Sequence, residues 1–238
     1  LNLILFEADE CTRPLPPGDP RARHVIEILR RKAGDRFDCG LVDGPRGKAT
    51  LRSMDASGLS LDFAWEDSAP TLSPLRLIVG LPRPQTARKV LLEATTLGVC
   101  SMDFVRSDKG EPSYAQSSLW SSGEWRRHLL AGAEQAFCTR LPAVSWELDL
   151  AGALTRLPTD GERIALDNYE SPERLGALHF SATSATLALG SERGWSARER
   201  ELLRGAGFRF AHLGTRVLRT ETAVVAATTL ALSKLGRL

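Results

Sequence analysis

From residue 75 to residue 235 the chain alternates apolar runs of strand length with amphipathic runs of helix length, an order that few folds can absorb. Strands are expected over 75–81, 101–106, 163–166, 185–190 and 208–213, and helices over 86–97, 122–137, 172–178, 196–206 and 221–235. Each helix can carry the chain back to the starting edge of a sheet, so the strands run mostly parallel with helices on both faces. The expected class is α/β. In such sheets ligands sit beyond the carboxyl ends of strands.

Ahead of this region the period changes. A strand is expected over 1–6 and a helix over 20–32, with Val25, Ile26 and Leu29 on one face; short strands follow over 35–42, 48–54 and 59–65, separated by the turn sequences DGPRG and DASG. This is a small β-rich unit. The stretch EDSAPTLSP carries two prolines and no periodic apolar residues, as a linker does, and divides the chain into domains of 1–72 and 73–238. Residues 107–123, rich in Ser and Gly, read as a long loop of the kind that can act as a lid.

Composition excludes several classes. Cys11, Cys39, Cys100 and Cys138 are scattered without a CxxC pair, so structural thiols are expected and no metal site. No apolar run approaches the roughly twenty residues of a membrane span, and the opening LNLILFEADE has no signal-peptide pattern, so a cytoplasmic protein with no membrane partner is expected. The net charge of +2 is too small to announce a polyanion partner, but the charge is unevenly placed: 13–52 holds ten Lys or Arg against five acids, and 193–219 seven Arg against two. Such clusters suit phosphates, and they equally suit solvated helix faces.

Two segments of the last third look like ligand loops. LALGSERG, 187–194, is an apolar run ending in a glycine-punctuated turn ahead of a helix, and LGTRVLRTETA, 213–223, sets a glycine, two arginines and Thr-Glu-Thr at the mouth of an apolar helix. With LFE near the start, HVIEILR at 24–30, Gly34-Asp35, Asp43-Gly44, Leu97-Gly98-Val99, Glu134-Gln135 and Leu141-Pro142, these segments make the chain resemble the RsmE-type ribosomal RNA methyltransferases of the SPOUT superfamily over nearly its whole length. LGTRVLRTETA is the most specific match. The resemblance implies a PUA-like β-barrel front domain that binds RNA and a SPOUT α/β domain whose C-terminal segment threads a trefoil knot. Chain physics alone would reject a knot, so that expectation rests on the resemblance. It further implies a homodimer that binds S-adenosylmethionine and methylates N3 of a uridine in small-subunit (16S) ribosomal RNA, as naked RNA or in the small ribosomal subunit.

Carried onto this sequence, the resemblance gives three walls for the cofactor: Leu189, Gly190, Ser191, Glu192 and Gly194; Leu213, Gly214, Arg216, Val217 and Leu218; and Leu166 with Asp167. The leucines would equally serve as plain core. The cofactor brings its own electrophile, so the protein binds and orients. Uracil N3 is largely protonated near neutral pH, which asks for a base or a stabilised anion. Arg219 and Glu221 are the candidate catalytic pair; Glu221 is equally placed to serve a helix start capped by Thr220 or Thr222. Arg23, His24, Arg30, Arg31 and Lys32 are the candidate RNA contacts, against a reading as an ordinary basic helix. Trp65, Trp120 and Trp125 could stack on bases or pack.

Departures from the family pattern cluster near this site. Its Gly-Pro-Glu-Gly-Gly loop is Gly190-Ser191-Glu192-Arg193-Gly194, with strain expected at Arg193 if that position needs positive φ. Its Thr-Glu-Leu-Gly is Thr95-Thr96-Leu97-Gly98, its Glu-Arg-Ser has no counterpart at 105–108, and Cys138 stands where an arginine is usual. Three readings therefore stay open: a methyltransferase of ribosomal RNA, one retargeted to another RNA, and a non-catalytic RNA-binding or ribosome-assembly protein that kept the fold.

Overall fold

Short strands of alternating polarity cannot bury an apolar face alone, and in the front part of the chain four of them pair into one sheet. β1 (Ile4–Phe6) runs parallel to β2 (Arg36–Leu41), which pairs antiparallel with β3 (Arg46–Asp55), itself antiparallel to β4 (Gly58–Trp65). The computed structural model describes residues 3–238, so the first two residues of the strand expected over 1–6 lie outside the described residues. Phe6, Val25, Phe37, Cys39 and Leu51 fill the core of this half-barrel. Trp65 packs against it, stacked on Phe63 at 5.2 Å.

The helix expected over 20–32 is shorter and changes form. Asp19 accepts from Arg21 N at 2.8 Å and Pro20 opens α1 (Pro20–Arg23), which widens into a π-helical turn, His24–Ile28. Arg31 N donates back to Val25 O, closing the end, and this leaves Arg30 at φ 52°, a position that favours glycine. Lys32 N then donates to Asp35 Oδ2 and the chain turns into β2.

This compact unit runs to Thr71 and takes in Ala133–Leu141. Asp43 N donates to Thr139 O at 2.8 Å, and Leu141 N returns a bond to Asp43 Oδ1 at 3.0 Å. Glu134 accepts from Leu5 N at 3.1 Å, and burial holds its carboxyl above the usual range.

The other unit, Leu72–Gly132 with Pro142–Leu238, is a seven-stranded parallel sheet. In chain order its elements are β5 (Ser73–Gly80), α2 (Pro84–Thr96), β6 (Val99–Val105), α3 (Ser118–Ser121), α4 (Glu124–Gln135, whose last three residues belong to the first unit), β7 (Ala143–Ser145), α5 (Leu150–Leu154), β8 (Glu162–Leu166), β9 (Glu173–Arg174), β10 (Ala185–Leu189), α6 (Ala197–Gly205), β11 (Arg209–His212) and α7 (Thr220–Lys234). The sheet order is β7-β6-β5-β10-β8-β11-β9. The α/β class with a mostly parallel sheet is therefore as expected. Leu77, Ile78, Leu187 and Ala188 are fully buried, as strands covered on both faces require.

Two expectations fail here. The helix expected over 172–178 is the edge strand β9 and a 3-10 turn, Leu175–Ala177: seven residues make too few helical bonds, and Glu173 and Arg174 pair with β11 instead. Residues 107–123 are no open loop either, for they contain a 3-10 turn at Pro112–Gln116 and then α3, which buries Trp120 against Trp146 at 5.1 Å. Trp125 leans on the same ring, so packing occupies all three tryptophans offered as base platforms. β7 and α5, at three and five residues, are too short to show a period.

Candidate active site

β8, β10 and β11 lie side by side, so their carboxyl ends open on one side of the sheet. The segments after them line a cavity of about 860 Å³, within the range of cofactor sites. Leu166 and Asp167 come from β8; Leu189, Gly190, Ser191, Glu192 and Gly194 from β10 and its turn. Leu213, Arg216, Val217 and Leu218 come from the segment after β11, and Arg219 and Glu221 from the start of α7. Gly214 stands apart from the lining, its N–H donating to His212 Nδ1 at 3.0 Å. Residues scattered across 56 positions, from 166 to 221, thus share one space because the strands are parallel neighbours.

Backbone packing fixes the turn after β10. A Cβ on Gly80, at the end of β5, would stand 2.5 Å from Ser191 N, so only glycine lets the two backbone segments approach. The left-handed conformation falls on Gly194, φ 66°, and Arg193 has negative φ. The strain expected at Arg193 is therefore absent, since the turn puts its demanding position one residue later. Glu192 Oε1 accepts from Arg83 N at 3.0 Å, and Lys109 donates to Trp195 O at 2.9 Å. Asp108 closes the same side: its N–H donates to Glu199, and its carboxylate takes Ser196 Oγ and the Arg198 guanidinium. Residues 107–109 are pinned to α6 and its capping box, which does not suit a lid.

Glu221 sits in the first turn of α7 with its side chain 16% exposed, and Lys89 Nζ lies 3.0 Å from its Oε1. Its own backbone N–H and then Lys89 hold its carboxyl below the usual range, so it is ionised at neutral pH. Neither threonine caps this helix: Arg219 occupies the cap position and makes no side-chain cap bond. Asp167 behaves differently. Its carboxylate turns inward, accepting from Tyr169 N, Glu170 N and Arg200 Nε at 2.7, 2.8 and 2.9 Å.

The candidate RNA contacts belong to the front unit. Arg23, Arg30 and Lys32 are exposed, while His24 and Arg31 are half-buried. Among the described residues, His24 Nε2 and Arg31 Nε are buried atoms with no hydrogen-bond partner. Also among the described residues, no cluster of three or more His, Cys, Asp or Glu could hold a metal ion, and no helix is long and apolar enough to cross a membrane.

The model of the RNA methyltransferase domain family matches residues 69–232. Ribosomal RNA small subunit methyltransferase E of Treponema pallidum is 33% identical, covering 95% of this chain and 89% of that protein. The chain belongs to the RsmE-type RNA methyltransferase family. A second family member, ribosomal RNA small subunit methyltransferase E 1 of Borreliella burgdorferi, is 26% identical over 99% of both chains. The fold is that of a Neisseria gonorrhoeae ribosomal RNA small subunit methyltransferase E solved bound to S-adenosyl methionine (TM-score 0.77, 23% identity, 97% of both chains). It is also that of a probable rRNA-methyltransferase from Porphyromonas gingivalis (TM-score 0.79, 21% identity, 98% of this chain and 99% of that one).

Sequence reasoning missed Arg83, Lys89, Tyr169 and His212, all of which line the cavity. Arg83, Tyr169 and His212 stand at or just after strand carboxyl ends, and the strand-end rule applied to β5, β8 and β11 would have found them. Lys89 meets Glu221 across 132 positions and has no local signal.

Proposed function

We propose that this chain transfers a methyl group from S-adenosylmethionine to N3 of a uridine in small-subunit (16S) ribosomal RNA. One observation carries the reading: apolar walls of cofactor size and the charged pair Arg219 and Glu221 line a single cavity at the ends of β8, β10 and β11. The donor set fits the cofactor. Leu166, Leu189, Leu213 and Leu218 offer apolar surface for an adenine, and the turn 190–194, with a glycine at each end, offers main-chain polar groups. When bound, the cofactor supplies the electrophilic methyl group.

The chain's own part is orientation and proton handling. Glu221, ionised and against Lys89, is the acceptor for the N3 proton; a carboxylate this acidic accepts only if the uracil anion is stabilised, and Arg219 provides the charge for that. Arg193 favours no loss of activity, because its backbone is relaxed and the cavity stands open beside it.

In the same reading the half-barrel is a PUA-like RNA-binding domain using Arg23, His24, Arg30, Arg31 and Lys32. The segment from β11 into α7 is the trefoil knot, and two copies pair as a homodimer in the cytoplasm. The test is transfer of labelled methyl to small subunits and to naked 16S RNA, with the modified nucleoside identified by mass spectrometry. N3-methyluridine from either substrate supports the reading. Label at another base would retarget the enzyme, and cofactor binding without any transfer would favour an assembly role.

A further inference from the structure

Tyr169 is the one Phe, Tyr or Trp among the described residues that line the cavity. It lines the cavity while 79% of its surface stays in water, so the ring lies at the mouth. Its backbone is held firmly. Asp167, 6% exposed, accepts from Tyr169 N at 2.7 Å and Glu170 N at 2.8 Å, and Ser171 Oγ donates to Asp167 O at 2.6 Å. Asp167 N in turn donates to Ala211 O of β11. The Arg200 guanidinium, itself buried and paired with Asp167, stands 5.5 Å from the centre of the tyrosine ring. One face of the ring is thus backed by a fixed cation, and the exposure leaves the other face open.

A buried carboxylate with two backbone donors and an arginine partner is an expensive way to fix a surface turn, and the turn presents one large side chain outward. Fixing an aromatic ring in advance removes the ordering cost of binding to it. Every nucleobase has a flat π-face, and unpaired RNA bases are read by stacking on such rings.

We infer that Tyr169 is a stacking platform that receives the target pyrimidine, or the base beside it, at the mouth of the cavity, with Asp167 and Arg200 as its positioning residues. The inference rests on the RNA-methyltransferase reading. Tyr169 contributes substrate affinity and orientation, and the cofactor lies against the leucines further in.

The experiment compares Tyr169→Ala and Tyr169→Phe with the unchanged protein in methyl transfer to small subunits, with calorimetry of S-adenosylmethionine and sedimentation in parallel. Tyr169→Ala should raise KM for the RNA about tenfold, Tyr169→Phe should stay near the unchanged protein, and cofactor affinity and molar mass should not move. Unchanged KM and kcat in Tyr169→Ala overturns the inference. So does a loss of cofactor affinity, which would place the ring in the cofactor pocket, or a change in molar mass, which would place it between copies of the chain. Photo-cross-linking with RNA carrying 5-iodouridine separates this from the reaction itself. A cross-link at Tyr169 in protein that transfers no methyl upholds the platform and sinks the reaction; active protein with no cross-link there and no effect of Tyr169→Ala sinks the platform alone.

Discussion

The cavity of the parallel-sheet unit and the basic segment of the half-barrel are both candidate binding surfaces, and they are held in different ways. In the first, a glycine contact between β5 and the turn after β10, the buried Asp167–Arg200 pair and the Asp108 contacts to α6 fix the backbone around the space. In the second, Arg23, Arg30 and Lys32 reach into water, and Arg30 sits on a backbone position better suited to glycine. A cofactor must be oriented to a fraction of an ångström, whereas a phosphate backbone asks mainly for charge within reach.

The most direct break in that contrast should come from Gly190→Val. A Cβ there would meet Gly194 Cα at 2.8 Å, and overpacking of this kind costs roughly 1–3 kcal/mol, so cofactor affinity should fall on the order of tenfold to a hundredfold in calorimetry. Native affinity would mean the turn is softer than its contacts indicate. Next comes the charged pair. Arg219→Ala should lower kcat by about two to three orders of magnitude and leave cofactor affinity nearly unchanged, as loss of a transition-state charge does. Equal loss in kcat and in cofactor binding would make Arg219 a structural residue of the cavity.

Lys89→Met sharpens the electrostatics of the same site. Glu221 is depressed below the usual carboxylate range partly by Lys89, so its interactions are fully present above that range and fade as pH falls through the depressed value. Without Lys89 the carboxyl rises toward its ordinary value and the acid limb of the kcat/KM profile moves to higher pH. A profile that does not move would disconnect the pair from turnover. The smallest effect belongs to the half-barrel. Arg30→Gly relieves the left-handed position and should stabilise the fold by up to about 1 kcal/mol in urea titration, while RNA affinity falls a few-fold and its salt slope flattens. Weaker RNA binding with no gain in stability would show that the strain is illusory.

Much of this is legible in the sequence. The strands over 185–190 and 208–213 and the helix over 221–235 appear within a residue or two, because buried parallel strands and an apolar helix leave strong periodic patterns. The candidate cofactor residues are legible only through the likeness of LGTRVLRTETA and GSERG to a family, since a leucine in a wall and a leucine in a core look alike. The helix expected over 20–32 ends early because bonds from Leu29 and Arg31 to His24 and Val25 close it, while its apolar spacing runs on regardless. The segment over 172–178 departs from the expected helix because pairing with β11 outweighs a short helical pattern.

By itself, then, the sequence determined the alternation of strands and helices, the β-rich front, the positions of the two candidate ligand turns and the family. Each is written in local spacing or in a contiguous motif. The tertiary structure alone decided that β10 lies between β5 and β8, that Gly80 must admit Ser191, that Lys89 meets Glu221, and that Tyr169 stands at the mouth while Asp167 turns inward. Those are contacts between residues far apart in the chain, and their energy depends on which strands become neighbours. Local periodicity carries no record of that choice.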